Sequence, residues 1–220
     1  MSKNRIGFIG LGEATSHIAK GLLVESVKQI TAFDILHQPK QNGVTIAQSM
    51  EELVTTSNII FSAVTCTNAL IVAKQAAPYL DYSHLYVDIN SVSPETKITI
   101  GRVVDDSGAR YVEASVMSSI PGPGHKVPIL LSGEAAVDLI KIMEPLGMKF
   151  ENFGPELGRA SALKMFRSIM IKGMEALFQE CVLGATKYGV AKKVLDSVGV
   201  SYPGLDWNQM ANYLIGRTAI

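Results

Sequence analysis

For roughly its first 150 residues the chain alternates short apolar runs with segments whose apolar positions recur at helical spacing. Ile6, Phe8 and Ile9 form the first apolar run, and Ala14 to Leu23 follows as a helix. Gln29–Asp34 reads as a second strand, Ile46 to Thr56 as a short helix with Met50, Leu53 and Val54 on one face, and Asn58–Val64 as an unbroken apolar strand. Such a run suits a parallel sheet covered on both faces. Ala69 to Leu80 is the next predicted helix, Leu85–Ile89 the next strand. Ser93 then Pro94 suits an N-cap and first helical position, with the helix continuing from Thr96 to Val104. Strands are predicted at Arg110–Val116, Val127–Leu131 and Met148–Phe153, with a helix over Ala135–Leu146. This order implies an α/β fold with a mostly parallel sheet and helices on both faces.

The pattern then changes. Glu156 to about Tyr188 contains no proline and predicts one long helix, with Gly158, Gly173 and Gly184 as weak points, followed by helices near Ala191–Val198 and Asn208–Ile220. The expected division is a Rossmann-type domain over 1–155 and a helical domain over 156–220. The chain stops inside a helical pattern without a cap, which suggests that the natural protein continues.

The chemistry gathers first at Gly10-Leu11-Gly12-Glu13-Ala14, between the first strand and the first helix. Strand, glycine turn, helix is the setting a dinucleotide fingerprint requires. Gly10 permits the tight turn, and Gly12, without a side chain, lets a pyrophosphate approach the backbone at the helix N-terminus. The third glycine position holds Thr15. Asp34, twenty-two residues after Gly12, ends the second strand where such folds place the acid that binds ribose hydroxyls. An acid there favours NAD, with NADP as the alternative; the plainer reading of Asp34 is a strand end. Val64 ends the third predicted strand and Thr65 follows it, at the edge where open α/β sheets take ligands. Asn90 and Ser91 follow the next strand and offer an amide and a hydroxyl, although turn residues of this kind also serve merely as caps. The loop Met117–Lys126 is rich in Gly and Pro, and His125 within it has no assigned role. On the long helix, Lys164, Arg167, Ser168, Ile171, Lys172 and Glu175 share one face. That stripe is either a solvated charged face or, at Lys164, an amine aimed back at the sheet edge, where desolvation would lower its pKa and suit it to proton transfer.

Composition narrows the function classes. Apolar content is 47 % and charged content 18 %, with 20 basic and 20 acidic residues, so no charge imbalance points to nucleic acid or a membrane surface. Cys66 and Cys181 are far apart and form no metal or disulfide framework, so no metal is expected. No apolar run reaches membrane-spanning length, and the N-terminus enters a strand at once, leaving no room for a signal peptide; a cytoplasmic protein is the expectation.

Phe8-Ile9-Gly10-Leu11-Gly12, then Asp88-Ile89-Asn90-Ser91 with Pro94, then Gly158 with Lys164 six residues on, resemble the β-hydroxyacid dehydrogenase family, which includes 3-hydroxyisobutyrate and 6-phosphogluconate dehydrogenases. Gly-x-Gly-Glu-Ala and Lys164-Met165-Phe166-Arg167-Ser168 are similar to a branch with a C-terminal helical domain of unknown function. The resemblance implies a Rossmann domain, a long connecting helix, an all-helical domain and a homodimer. It implies reversible oxidation of an alcohol β to a carboxylate, with Lys164 exchanging the hydroxyl proton. Cofactor contacts would come from Gly10, Leu11, Gly12, Glu13, Ala14, Asp34, Val64, Thr65 and Asn90. Contacts to a small anionic substrate would come from Asn90, Ser91, Met117, Ser118, Ser119, Arg167 and Ser168. Met117-Ser118-Ser119 stands where the family usually reads Ser-Gly-Gly, Ser168 where it has asparagine, and Ile171 where the phosphogluconate enzymes have glutamate. Imine reductases share the fold but usually lack the lysine. A non-catalytic dinucleotide-binding module is the alternative from another class.

Overall fold

The computed structural model describes residues 4–36 and 43–218. Its strands are β1 (Ile6–Ile9), β2 (Ile30–Phe33), β3 (Val44–Ile46), β4 (Ile59–Ser62), β5 (Leu85–Asp88), β6 (Arg110–Val116), β7 (Pro128–Ser132) and β8 (Lys149–Asn152). They form one sheet in the order β3-β2-β1-β4-β5-β6-β7-β8. All neighbours pair in parallel except β6 and β7, which are antiparallel. The mostly parallel α/β architecture expected from the sequence is therefore present. The connections run one way from β1 through β2 to β3 and the other way from β4 onward. The switch point lies between β1 and β4, where ligands of open α/β sheets bind.

Alternation along the central strands builds two cores. Ile6, Phe8 and Phe61 face α1 (Glu13–Val24) and α5 (Ala136–Met143), which contribute Ile18, Leu22 and Leu139. Ile9, Ile60 and Tyr86 face α2 (Met50–Thr55), α3 (Ala69–Ala76) and α4 (Pro94–Asp105), which contribute Leu53, Ala73 and Ile100. Both faces are covered, so the strands can be apolar at every position. The Phe8 and Phe61 rings stack 5.6 Å apart across the switch point. Each fully buried side chain of this size stabilises the fold by about 1.5–3 kcal/mol.

Several expected boundaries move, for local reasons. The predicted helix over Ile46–Thr56 divides. Val44-Thr45-Ile46 is β-branched throughout and pairs with β2 as an edge strand. The helix then starts behind Ser49, whose hydroxyl accepts from the Glu52 N–H at 3.1 Å while the Glu52 carboxylate accepts from the Gln48 N–H at 2.7 Å. Pro78 and Pro145 end α3 and α5 early, each in a 3₁₀ turn. Ser93 caps α4 and Pro94 occupies its first position, as expected, and the Ser93 Oγ accepts from the Thr96 N–H at 3.2 Å. His125, expected on an open loop, is buried against Gly21 of α1.

The chain divides into two compact units, Met1–Lys164 and Met165–Ile220. Helix α6 (Arg159–Lys187) is unbroken through Gly173 and Gly184, and it begins after Gly158 rather than at Glu156. Within the second unit, α7 (Ala191–Ser201) and α8 (Trp207–Thr218) pack with α6 around Phe178, Leu195, Ala211 and Leu214. The Phe178 and Trp207 rings stack 5.7 Å apart. Among the described residues no helix is long and apolar enough to cross a membrane, and no cluster of three His, Cys, Asp or Glu could hold a metal.

Candidate functional site

The β1–α1 turn needs glycine at one place for a steric reason. Gly10 has φ +89°, and a Cβ there would collide with the Ala63 carbonyl oxygen at the end of β4. The turn thus lies directly on the switch point. Gly12 is the N-cap of α1 and is open: a Cβ would meet nothing within 4 Å. The α1 N-terminus therefore presents bare backbone to an incoming anion. Thr15, in the third glycine position, is fully buried and donates from Oγ1 to the Gly10 carbonyl at 2.9 Å, closing the turn from below. Asp34 ends just past β2 and accepts from the Leu11 N–H at 2.7 Å and the Leu36 N–H at 2.8 Å. It braces the glycine turn as well as marking the strand end, a second task the spacing alone did not reveal.

Two cavities flank this turn. A narrow one of about 140 Å³ lies on the β2 and α3 side, between Gly10, Asp34, Val64 and Ile71. A wider one of about 420 Å³ lies on the β5 and β6 side, lined by Glu13, Ser91, Met117, Ser118, Ile120 and Lys164. The pair, joined by an exposed helix N-terminus, has the form of a site for a two-lobed ligand, with Gly12 leaving room for its linker. A larger cavity of about 490 Å³ sits at the opposite edge, among Asp105, Arg110, Glu134 and Asp138. It contains none of the residues expected to act, and the C-terminal strand edge remains the place where the chemistry converges.

Lys164 enters the wider cavity from the second turn of α6 and donates from Nζ to the Ser91 hydroxyl at 2.9 Å. Burial holds its pKa below the ordinary lysine value, and repulsion from the Lys97 ammonium adds to the shift. An amine so placed gives up its proton more readily than an ordinary lysine. Lys164, Ser91, Met117 and Ser118 are brought together with Glu13 and Ala14. Ser119 is exposed beside them in sequence, outside the cavity lining. Arg167 and Ser168 belong to the second unit, Arg167 exposed and Ser168 half-buried. Thr65 is exposed, and its hydroxyl accepts from the Asn68 amide at 2.9 Å.

Asn90 is engaged inside the protein. Its Oδ1 accepts from the Val64 N–H at 2.6 Å, and its Nδ2 donates to Ser62 at 3.1 Å and Asp88 at 2.7 Å. It ties the ends of β4 and β5 together at the switch point. Below it lies a fully buried ion pair that sequence reading passed over. Lys97 Nζ sits 3.1 Å from Asp88 Oδ1 and donates to the Asp88 carbonyl at 2.7 Å, while the Tyr111 hydroxyl donates to Asp88 Oδ2 at 3.0 Å. Burial pushes the Lys97 pKa down, opposed by Asp88; burial and the Asp88 charge both push Tyr111 up. Glu113, also fully buried, accepts from the amides of Gly158 and Ser161 at the start of α6. Its sequence signal was an acid between Val112 and Ala114 in a predicted strand.

A family model for the NAD binding domain of 6-phosphogluconate dehydrogenase matches residues 5–151. An uncharacterized 28.5 kDa protein of Methanothermus fervidus is 34 % identical over 196 residues, covering 87 % of this chain and 75 % of that one. The mitochondrial 3-hydroxyisobutyrate dehydrogenase of Drosophila melanogaster is 23 % identical over 212 residues, covering 92 % of this chain; the chain spans 64 % of the fly enzyme's length. Among solved structures, a conserved hypothetical protein of Sinorhizobium meliloti aligns at TM-score 0.85 with 36 % identity, over 98 % of this chain and 76 % of that one. An imine reductase variant of Myxococcus stipitatus in complex with NAD+ aligns at TM-score 0.75 with 20 % identity, over 91 % and 72 % of the two chains, a likeness of fold alone.

Proposed function

The chain belongs to the family of the NAD-binding domain of 6-phosphogluconate dehydrogenase, and from that premise we propose an oxidoreductase that moves a hydride between a nicotinamide cofactor and a small 3-hydroxy acid. The observation that carries this reading is the half-buried Lys164 amine, hydrogen-bonded to Ser91 in the cavity that adjoins the glycine turn. Gly10, Gly12 and the first turn of α1 would hold the pyrophosphate, and the two flanking cavities would take the two halves of the dinucleotide. The bound nicotinamide supplies the hydride acceptor. Lys164, as neutral amine, takes the hydroxyl proton during oxidation; as ammonium, it returns that proton during reduction. Ser91 holds the amine in place, and Ser118 offers a hydroxyl to the substrate carboxylate. The side chains of Met117 and Ser118 fill space that bare backbone would leave open, which favours a compact substrate.

The sign of the pH response follows from the lowered Lys164 pKa. Oxidation rises as pH climbs through that value, because it needs the neutral amine. Reduction falls over the same range, because it needs the ammonium. The test of the reading is turnover of hydroxy acids by the wild type against Lys164→Ala.

Asp34 supports NAD over NADP. It lines the narrow cavity, where a 2′-phosphate would meet a like charge. Asp34→Asn removes the charge, at the cost of one of the two backbone N–H bonds the carboxylate accepts, and is expected to narrow the preference for NAD by about tenfold. Cofactor Kd values by fluorescence titration check this; an unchanged ratio would contradict the role.

A homodimer is part of the same reading. Phe166, Ile169, Met170 and Leu177 are exposed along α6, an apolar face that an isolated chain would leave to water. Light scattering is expected to give twice the chain mass, and Phe166→Gln with Met170→Gln to give the single chain. A wild type that stays monomeric at micromolar concentration would rule the dimer out.

A further inference from the structure

We infer that Glu113 is a positioning residue for Lys164, acting by clamping the first turn of α6 to the sheet. The inference rests on the reading of Lys164 as the proton-transfer group. Ser62, Asp88, Glu113 and Ser132 are register partners across β4, β5, β6 and β7, so they form one row across four strands. All four are fully buried. Four polar side chains in line inside a sheet are costly unless each is satisfied, and the way they are satisfied shows what the row does. At one end Ser62 and Asp88 hold Asn90, and through it the Val64 amide at the end of β4. At the other end the partners are backbone amides of α6.

A helix leaves its first N–H groups without partners of its own. For α6 the sheet supplies them. Glu113 takes the Gly158 N–H through Oε2 and the Ser161 N–H through Oε1 at 2.7 Å, and Ser132 Oγ takes the Ala160 N–H at 3.3 Å. These carboxylate bonds are charge-assisted and oppose the positive end of the helix, so they are the strong members of the set. Gly158 itself has φ +91° and its N–H points at Glu113, so the helix can begin only where the carboxylate receives it.

Lys164 lies three residues beyond Ser161, on the same side of the helix. Its amine reaches Ser91 at 2.9 Å from a turn whose start is fixed by Glu113. A displacement of that start by about 1 Å breaks the Lys164–Ser91 contact and moves the amine out of line, a misplacement on a scale that can cost about 100-fold in rate. Two tasks are thereby joined through one row: the same strands that set the glycine-turn side of the site also set the lysine.

Glu113→Gln tests this. The amide keeps the length but offers one acceptor and a donor, so one α6 amide faces a donor instead of an acceptor. On the full chain, kcat is expected to fall about 10- to 100-fold per folded molecule, with the KM for the dinucleotide within about twofold of wild type. The second readout needs no turnover. Reductive ¹³C-methylation, with Lys164→Arg used to assign the resonance, gives the titration of Lys164 directly. Lys97 of α4 repels that amine and Glu13 of α1 lines the same cavity; because the Glu113 charge also acts on Lys97, Ser132→Ala, which changes no charge, is the arm that isolates the helix start. As the helix start loosens and water reaches the amine, its midpoint is expected to move up, toward the ordinary lysine range. Ser132→Ala, which removes only the 3.3 Å contact, is expected to move it the same way by less, and it serves if Glu113→Gln does not fold. A midpoint unchanged from wild type overturns the inference, whatever happens to the rate. Full turnover by Lys164→Ala together with a shifted midpoint would instead overturn the catalytic reading and leave the clamp standing.

Discussion

Replacing Lys164 by alanine is expected to lower turnover of a 3-hydroxy acid by about 10²–10⁴-fold, the range a positioned acid–base group contributes. The loss should fall on kcat and on kcat/KM alike, since the amine acts in the transition state and not in holding the cofactor. The nearest structural reason is local. The amine is half-buried, its proton affinity is lowered by burial first and by Lys97 second, and Ser91 fixes its direction. Alanine leaves the helix intact, because α6 is held by amides of Gly158, Ala160 and Ser161, and none of those bonds involves the lysine side chain. Dinucleotide binding should therefore persist in the variant, measured by fluorescence titration beside steady-state rates. Rates within a few-fold of wild type would remove the lysine from the mechanism and favour a non-catalytic dinucleotide-binding module.

The second large effect is on stability. Lys97→Met is expected to cost about 3–5 kcal/mol in chemical denaturation, because it strands the Asp88 carboxylate in the core. The ammonium and the carboxylate are 3.1 Å apart and both fully buried. The lysine also donates to the Asp88 and Ala114 carbonyls, so it stitches the ends of β5 and β6 together. The double variant Lys97→Met with Asp88→Asn should regain most of the loss, since it replaces an ion pair by neutral groups instead of breaking it. It also removes the charge that repels Lys164, so the acid limb of the oxidation profile should shift to higher pH in the double variant. A single-variant cost under about 1 kcal/mol would mean that water reaches Asp88 and that the pair is not closed.

What the sequence disclosed, and what it hid, follows from which interactions are local. The strand–glycine–helix order around Gly10 and Gly12 is local, and so are the Ser93–Pro94 helix start and the apolar runs at β1, β4 and β5; each was readable because neighbours in sequence set the structure. The placement of Lys164 at the sheet edge was readable because its helix spacing and its distance from Gly158 matched a known family; its role is the proposal made above. Lys97 and Glu113 were not. A charge in a helix or strand ordinarily faces water, and only the register of β5 against β6 and β7 shows that Asp88, Glu113 and Ser132 share one buried row. Thr15 and Asp34 were seen as motif positions, but their bonds to Gly10 and Leu11 depend on the turn's three-dimensional form. The strand β3 is three residues long, so its β-branched run is too short to read as a strand without the pairing to β2. His125 was misjudged for a related reason: its burial comes from Gly21, a hundred residues earlier in the chain.

The most direct test of the central claim is a cofactor-reduction assay on the full chain, following nicotinamide absorbance with NAD and NADP across a panel of small 3-hydroxy acids and, in the reverse direction, their keto acids and cyclic imines. Turnover with at least one hydroxy acid is expected, with NAD preferred and with oxidation that rises with pH through the lowered Lys164 pKa. Turnover confined to imines, or tight dinucleotide binding with no turnover on any hydroxy acid, would contradict it.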